Sequence, residues 1–277
     1  MNGVVMENTT IESLQGILST SREPEVVFKD VSMTYQDAGG NDVVALTNVS
    51  LEIGKGEFVS LLGPSGCGKS TLLRIIADLL QPTSGEVTVS GETPKVARIK
   101  QKYGIIFQNP VLLNWRTVRK NISLPLEIIK LEKREIHERV TQMLELVGLS
   151  NFGNHYPYQL SGGMQQRVSI ARAFALNPEI LLMDEPFSAL DEFTREKLHE
   201  DLLKIWRRTN KTIVFVTHNI GESVFLSNRV FVLSNHPGRL SAVVDIDLPR
   251  VRDKMTRVNP QYSKLIQQIR DSFEEIR

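Results

Sequence analysis

Two hydrophobic patterns alternate along this chain. Phe58-Val59-Ser60-Leu61-Leu62, Gly104-Ile105-Ile106-Phe107, Ile180-Leu181-Leu182-Met183, Thr212 to Thr217 and Val230 to Leu233 are short and almost wholly apolar. Runs of this kind suit parallel strands covered on both faces. Between them, Leu72, Leu73, Ile75, Ile76, Leu79 and Leu80 recur at helical spacing, as do Val140, Met143, Leu144 and Val147 before a stop at Gly148. Arg195 to Arg208 also reads as a helix. Strands alternating with helices predict an α/β sheet. Val26 to Ile53 differs: its apolar segments are short and parted by polar turns such as Asp37 to Asp42, which predicts antiparallel strands. A further strand is bounded by Gly85 and Gly91. From Pro110 to Leu160 the patterning is helical, an insertion between strands. A last helix starts near Pro260, with Asn259 as its cap and Leu265, Ile266, Ile269 and Phe273 on one side. Residues 1–24 read as a flexible extension.

Composition changes this picture little. The 277 residues carry 33 Lys and Arg against 32 Asp and Glu, a formal charge of +1, so no basic bias points to nucleic acid. One cysteine excludes an intramolecular disulfide. No apolar run is long enough to cross a bilayer, and the N-terminus lacks the basic start of a signal peptide. If the protein works at a membrane, another chain provides the spanning helices.

The chemistry enters at Gly63-Pro64-Ser65-Gly66-Cys67-Gly68-Lys69-Ser70-Thr71. It fits the phosphate-binding pattern G-x-x-x-x-G-K-[ST], with a strand before it and a helix after. The glycines let successive N–H groups converge on phosphate oxygens, Lys69 supplies a mobile charge, and the Ser70 hydroxyl can ligate Mg²⁺. Cys67 lies inside the loop, so alkylating it is expected to block nucleotide binding by bulk. At the end of an apolar strand stand Asp184 and Glu185: the first can hold Mg²⁺ through its water shell, the second is placed to take a proton from water. Ser161-Gly162-Gly163 opens another helix and makes a second anion nest. Two phosphate-binding helix ends in one domain suggest that two copies share each nucleotide.

Together these motifs resemble the nucleotide-binding subunit of ABC transporters, over about residues 25 to 245. The resemblance identifies Walker A at 63–70, Walker B at 180–184 and the signature at 160–164. Gln108 matches the Q-loop, Ser188-Ala189-Leu190-Asp191 the D-loop, His218 the switch histidine, and Tyr35 the adenine-stacking aromatic. It implies a P-loop NTPase, RecA-like α/β core with an N-terminal antiparallel β subdomain and a helical insertion. The ATPase domain would span 25–250 with the insertion at about 110–165, and 251–277 would form a helical tail. The cofactors implied are ATP and Mg²⁺, the ion held by Ser70, Asp184 and Gln108. The partners implied are a second copy packed head to tail, an integral membrane permease and, indirectly, a periplasmic or lipid-anchored solute-binding protein; nucleic acid is not among them. Ser161, Gly162 and Gly163 would touch the partner copy's ATP, Glu185 would be the general base, His218 would hold γ-phosphate and water, and Asp191 would communicate across the dimer.

Met164, Asp78 and Asn219 to Ser223 depart from the usual pattern without removing a catalytic group. Leu112-Leu113-Asn114-Trp115-Arg116-Thr117-Val118, Asp184 to Asp191, and His236-Pro237-Gly238-Arg239 resemble the nitrate, sulfonate and taurine importer ATPases, a group that also serves pyrimidine precursors. Such subunits sit on the cytoplasmic face of the inner membrane. Trp115 is expected to pack near the groove that receives a permease helix. The alternative, a soluble ABC-type ATPase acting on nucleic acid or ribosomes, is disfavoured: the chain has one such domain, one cysteine and no long heptad array.

Overall fold

The structure is a computed structural model that describes residues 23–274. The expected N-terminal extension therefore lies outside the described residues except for its last two. Pro24, the last of these, already opens a strand.

Two sheets form. β1 (Pro24–Gln36) pairs antiparallel with β2 (Asp42–Gly54) across the Asp37 turn and, on its other side, with β4 (Ser84–Val89). The second sheet has six strands in the order β5-β6-β7-β3-β8-β9. These are β3 (Phe58–Leu62), β5 (Tyr103–Ile106), β6 (Ile180–Asp184), β7 (Thr212–Thr217), β8 (Arg229–Leu233) and β9 (Leu240–Asp245). β9 runs antiparallel at the edge; the others are parallel. The apolar runs are strands because both of their faces are buried. Phe58 and Leu62 of β3, Leu181 and Met183 of β6, and Ile213 and Phe215 of β7 face one core. The residues between them, Val59 and Leu61, Ile180 and Leu182, Val214 and Val216, face the other. A strand shows alternate residues to opposite faces, so the sheet divides two cores and leaves no polar face. β9 escapes the pattern reading because its residues are mostly half-exposed.

The helices are α1 (Lys69–Ile76), α2 (Pro94–Ile99), α3 (Val118–Ile128), α4 (Lys133–Leu146), α5 (Gly162–Phe174), α6 (Glu192–Thr209), α7 (Ile220–Leu226) and α8 (Pro260–Glu274). α3 to α5 pack together over one core, where Ile122, Leu126, Val140, Leu144 and Val168 are buried. Gly148 closes the end of α4 at φ +69°, a left-handed cap position that glycine takes without a Cβ clash.

α1 ends earlier than its spacing predicts. Asp78 turns left-handed at φ 51°, and its carboxylate is held by Arg98 Nε at 2.8 Å and Gln81 Nε2 at 2.6 Å. An aspartate tolerates that conformation, the chain leaves the helix, and Leu79 is exposed. Trp115 is little covered by its own chain: 76% of its surface is exposed.

Candidate functional site

β3, β6 and β7 lie side by side and parallel, so their carboxyl ends open on one edge, where open α/β sheets bind ligands. β3 delivers the loop 63–68 and the N-terminus of α1, β6 delivers Asp184 and Glu185, and β7 delivers His218. Gly68 adopts φ +96° with Leu46 Cδ2 only 2.5 Å from where a Cβ would stand. Conformation and space both require glycine there. Pro64, Ser65 and Gly66 form the exposed rim, and Lys69 and Thr71 are buried. Lys69 Nζ donates to the carbonyls of Gly63 at 2.8 Å and Pro64 at 2.7 Å. Ser70 Oγ donates to Asp184 Oδ1 at 2.7 Å, so the two oxygens proposed for the metal are already adjacent. Tyr35, half-buried at the end of β1, shares a hydrogen bond of 3.1 Å with Thr71 Oγ1, which sets its ring beside α1.

Glu185 sits at φ 44°, a left-handed position uncommon for a residue with a Cβ and frequent at functional turns. Its N–H donates to Val216 O, and its carbonyl accepts from Ser188 Oγ at 3.0 Å. Its Oε2 lies 2.9 Å from His218 Nδ1. A cavity of about 140 Å³ touches Glu185, Ser188, His218 and Asn219, more than one water needs. Gln108 Nε2 donates to Ser188 Oγ at 3.1 Å. The structure thus ties Gln108 to the Glu185 turn, whereas Ser70 and Asp184, the other two residues expected to hold Mg²⁺, bond each other.

Ser161 caps α5, its Oγ accepting from Met164 N at 3.3 Å. Ser161 and Gly162 are exposed, and Gly163 is pressed against Thr194, whose Cγ2 would lie 2.6 Å from an added Cβ. Asp191 caps α6 through Thr194 N at 3.0 Å; that backbone hydrogen bond and the Thr194 hydroxyl hold its carboxyl below the usual range. The signature thus rests on the start of the D-loop helix, while the phosphate loop, Asp184, Glu185 and His218 gather at the sheet edge.

Cys67 is shielded from the alkylation considered above. Its side chain is fully buried, and burial pushes the thiol pKa up, so a reagent meets neither an exposed sulfur nor a thiolate. Sequence reasoning missed Gly238. An added Cβ there would lie 2.0 Å from Cys67 O, and its backbone bonds Ala45 O and Thr47 N. The His236 to Arg239 segment is therefore the floor of the phosphate loop. In the sequence the segment shows only a family resemblance, and the glycine beside Pro237 is the signal that marks it.

A P-loop at one strand end, two carboxylates at the next and a histidine at the third define a nucleoside triphosphatase, and Ser161-Gly162-Gly163 opens a separate helix away from them. Comparison with known proteins narrows the class. Residues 46–188 match the ABC transporter family. The chain is 50% identical over 227 residues, 82% of this chain and 84% of the other, to an uncharacterized ABC transporter ATP-binding protein of Methanocaldococcus jannaschii. It is 41% identical over 91% of its length to an aliphatic sulfonates import ATP-binding protein of Bacillus cereus, covering 92% of that protein. Among solved structures it resembles a dimeric ATP-binding cassette in a post-hydrolysis state bound to ADP and Pi. That match has TM-score 0.68 and 38% identity, over 82% of this chain and 99% of that one. The chain belongs to the ABC transporter family, as an ATP-binding subunit close to the importer ATPases, and it is an ATPase.

Proposed function

We propose that this subunit hydrolyses ATP within a head-to-tail dimer and thereby drives uptake of a small solute through a separate permease. The solute would be of the nitrate, sulfonate or taurine type, or a related compound such as a pyrimidine precursor. The observation that carries the reading is the pairing of Glu185 with His218, 2.9 Å apart, on the strand-end row that also holds Lys69, Ser70 and Asp184. In this reading residues 25–250 form the ATPase domain, with a helical part inserted at about 110–165, and 251–277 form its tail. No helix among the described residues is long and apolar enough to cross a membrane, so binding to the cytoplasmic face of the inner membrane would come from the permease.

The residues fit the roles. Lys69 leaves the carbonyls of Gly63 and Pro64 for the β- and γ-phosphates, and the loop N–H groups cradle them. Tyr35 offers its ring to the adenine. Ser70 and Asp184 are hard oxygen donors, and among the described residues no group of three or more His, Cys, Asp or Glu could hold an ion by itself. That suits Mg²⁺ arriving with the nucleotide, where it neutralises phosphate charge. Glu185 takes a proton from the attacking water, His218 orients water and γ-phosphate, and Gln108, through Ser188, reports movement of the helical part to the Glu185 turn. Ser161, Gly162 and Gly163 of one copy would meet the γ-phosphate held by the other, with Asp191 at the junction. Closure excludes water and strengthens these charge interactions.

Glu185→Gln tests the reading. ATP affinity is expected to persist while turnover falls by about a thousandfold, with ATP-bound dimers accumulating on size exclusion. Full hydrolysis by that variant removes Glu185 from the base role.

A further inference from the structure

Beneath the Glu185–His218 pair runs a buried polar chain that the roles above leave unused. Glu222, on the first turn of α7, is 8% exposed, and both of its carboxylate oxygens are engaged. Oε1 lies 2.6 Å from His199 Nε2, and Oε2 accepts from Thr217 Oγ1. Thr217 Oγ1 accepts in turn from the Asn219 N–H at 3.0 Å. Thr217 and Asn219 flank His218, so one buried carboxylate holds the backbone on both sides of a histidine whose own ring is exposed.

His199, in the middle of α6 and 2% exposed, is the other end of that hold. Its Nδ1 faces Arg257 Nη2 at 3.3 Å. A guanidinium only donates, so the ring carries its hydrogen on Nε2 and gives it to Glu222. The ring also packs on Phe187, 5.3 Å between centroids, two residues beyond Glu185. Arg257 belongs to the C-terminal segment. It pairs with Glu196 at 3.3 Å and lies over the Phe225 ring at 4.1 Å. The same segment holds α7 at both ends: Tyr262 donates to Gly221 O at 2.9 Å, and Arg252 Nη1 donates to the carbonyls of Val224, Phe225 and Ser227.

We propose that His199 is a positioning residue for ATP hydrolysis: through Glu222 and Thr217, and backed by Arg257, it sets where His218 stands against Glu185. The inference rests on the reading of Glu185 and His218 as the groups that act on water and γ-phosphate. If packing were all that α6 and α7 required, an apolar pair of the same volume would serve as well or better. Instead the chain carries a carboxylate whose burial is costly unless every partner stays in place. It spends that arrangement on the two residues beside the switch histidine. Small displacements of a reacting geometry are large in rate.

The test uses the full chain and follows phosphate release and ATP binding in His199→Leu, His199→Gln, Arg257→Met and His218→Ala. Gln can donate to Glu222 and accept from Arg257; Leu fills the space without either bond. His199→Leu is expected to lose about tenfold in kcat with ATP affinity within about twofold of the wild type, whereas His199→Gln stays within about threefold in kcat. Arg257→Met, which keeps a stem over Phe225, is expected to lower kcat about threefold. Adding His199→Leu to His218→Ala should slow it no further, since both act through one group.

Wild-type kcat in His199→Leu, or equal losses in the Leu and Gln variants with a parallel loss of ATP affinity, overturns the proposal. Should His199→Leu fail to fold, Arg257→Met decides: reduced kcat at unchanged ATP affinity supports the proposal and wild-type kcat sinks it. His218→Ala separates the two levels. If it hydrolyses ATP normally, the catalytic reading of His218 falls and the positioning role with it. If it is slow while His199→Leu is fast, the positioning role alone falls.

Discussion

The phosphate loop and the signature helix end are both built to meet an anion, yet the chain completes only the first. At and beside the loop four side chains have internal partners: Lys69 on Gly63 O and Pro64 O, Ser70 on Asp184, Thr71 on Tyr35, and Glu185 on His218. The loop even has a floor, Gly238 against Cys67. At the start of α5, Ser161 does no more than cap its own helix, Ser161 and Gly162 face solvent, and Gly163 is buried against α6. A helix start leaves its first N–H groups without intrahelical acceptors. In the proposed head-to-tail dimer the difference would separate what a single chain does from what two copies do: the loop would bind a nucleotide alone, and the signature would be used only when a second copy presents its phosphates.

Substitutions on the two sides should therefore fail differently. Lys69→Ala removes a charge–phosphate contact worth about 3 kcal/mol, so ATP affinity of the single chain is expected to fall about a hundredfold, and turnover with it. Fluorescent-nucleotide titration checks this; unaltered affinity would mean that the loop is not the phosphate site. Gly162→Asp places a carboxylate where the partner copy's γ-phosphate would come. Single-chain affinity should be retained, while kcat drops by up to about a hundredfold because helix-end donors no longer meet the developing charge. Equal loss of affinity in both variants would erase the distinction.

The floor of the loop offers a smaller effect. Gly238→Ala forces a Cβ to within 2.0 Å of Cys67 O, a backbone atom that cannot swing aside. Overpacking of this kind costs about 2 kcal/mol, and it moves the loop itself. The expected result is a lower melting temperature together with weaker ATP affinity, whereas Ala at Gly66, where an added Cβ meets nothing within 4 Å, should change stability only through its positive φ. If Gly238→Ala melts like the wild type, the loop is less firmly seated than its contacts require.

The parts of this site that were legible in the sequence are those whose chemistry is local. Gly63 to Thr71, the Asp184–Glu185 pair and Ser161 to Gly163 each carry their meaning within nine residues or fewer, bounded by a strand or helix whose period is plain. The antiparallel β1–β2 pair and the parallel runs were legible for the same reason. What was not legible is made by distance along the chain. His199 sits at helical spacing with Leu202, Leu203 and Trp206, and nothing near it in the chain names a polar partner; Glu222 lies 23 residues further on. Only folding brings His199, Glu222, Thr217 and Arg257 into one buried line. Cys67 shows the complementary case. Its place in the loop is local, but the reach of solvent to its sulfur is decided by what packs on it: Gly63, where an added Cβ would stand 2.6 Å from Sγ, and Lys69 Nζ at 4.0 Å.

Trp115 carries the comparison beyond the nucleotide. Like the signature, it is a surface left open: 76% exposed, with Val111 at 59% and Phe107 at 43% on the preceding stretch. Arg172 pins that stretch by donating to the carbonyls of Pro110 and Val111 at 2.9 Å each, so these apolar residues are presented from an anchored backbone. An exposed tryptophan contributes little to the stability of its own chain, so Trp115→Ala should change unfolding free energy by no more than about 0.5 kcal/mol and leave nucleotide affinity as it was. Its effect should appear only when a permease is present, because a large exposed aromatic is the kind of anchor that dominates an interface once buried. Copurification of tagged wild-type and Trp115→Ala chains from the host's membranes makes the comparison. Loss of a stoichiometric polytopic partner by the variant, at equal melting temperature, places the permease contact on this surface; equal recovery and equal coupling of hydrolysis to transport remove Trp115 from it.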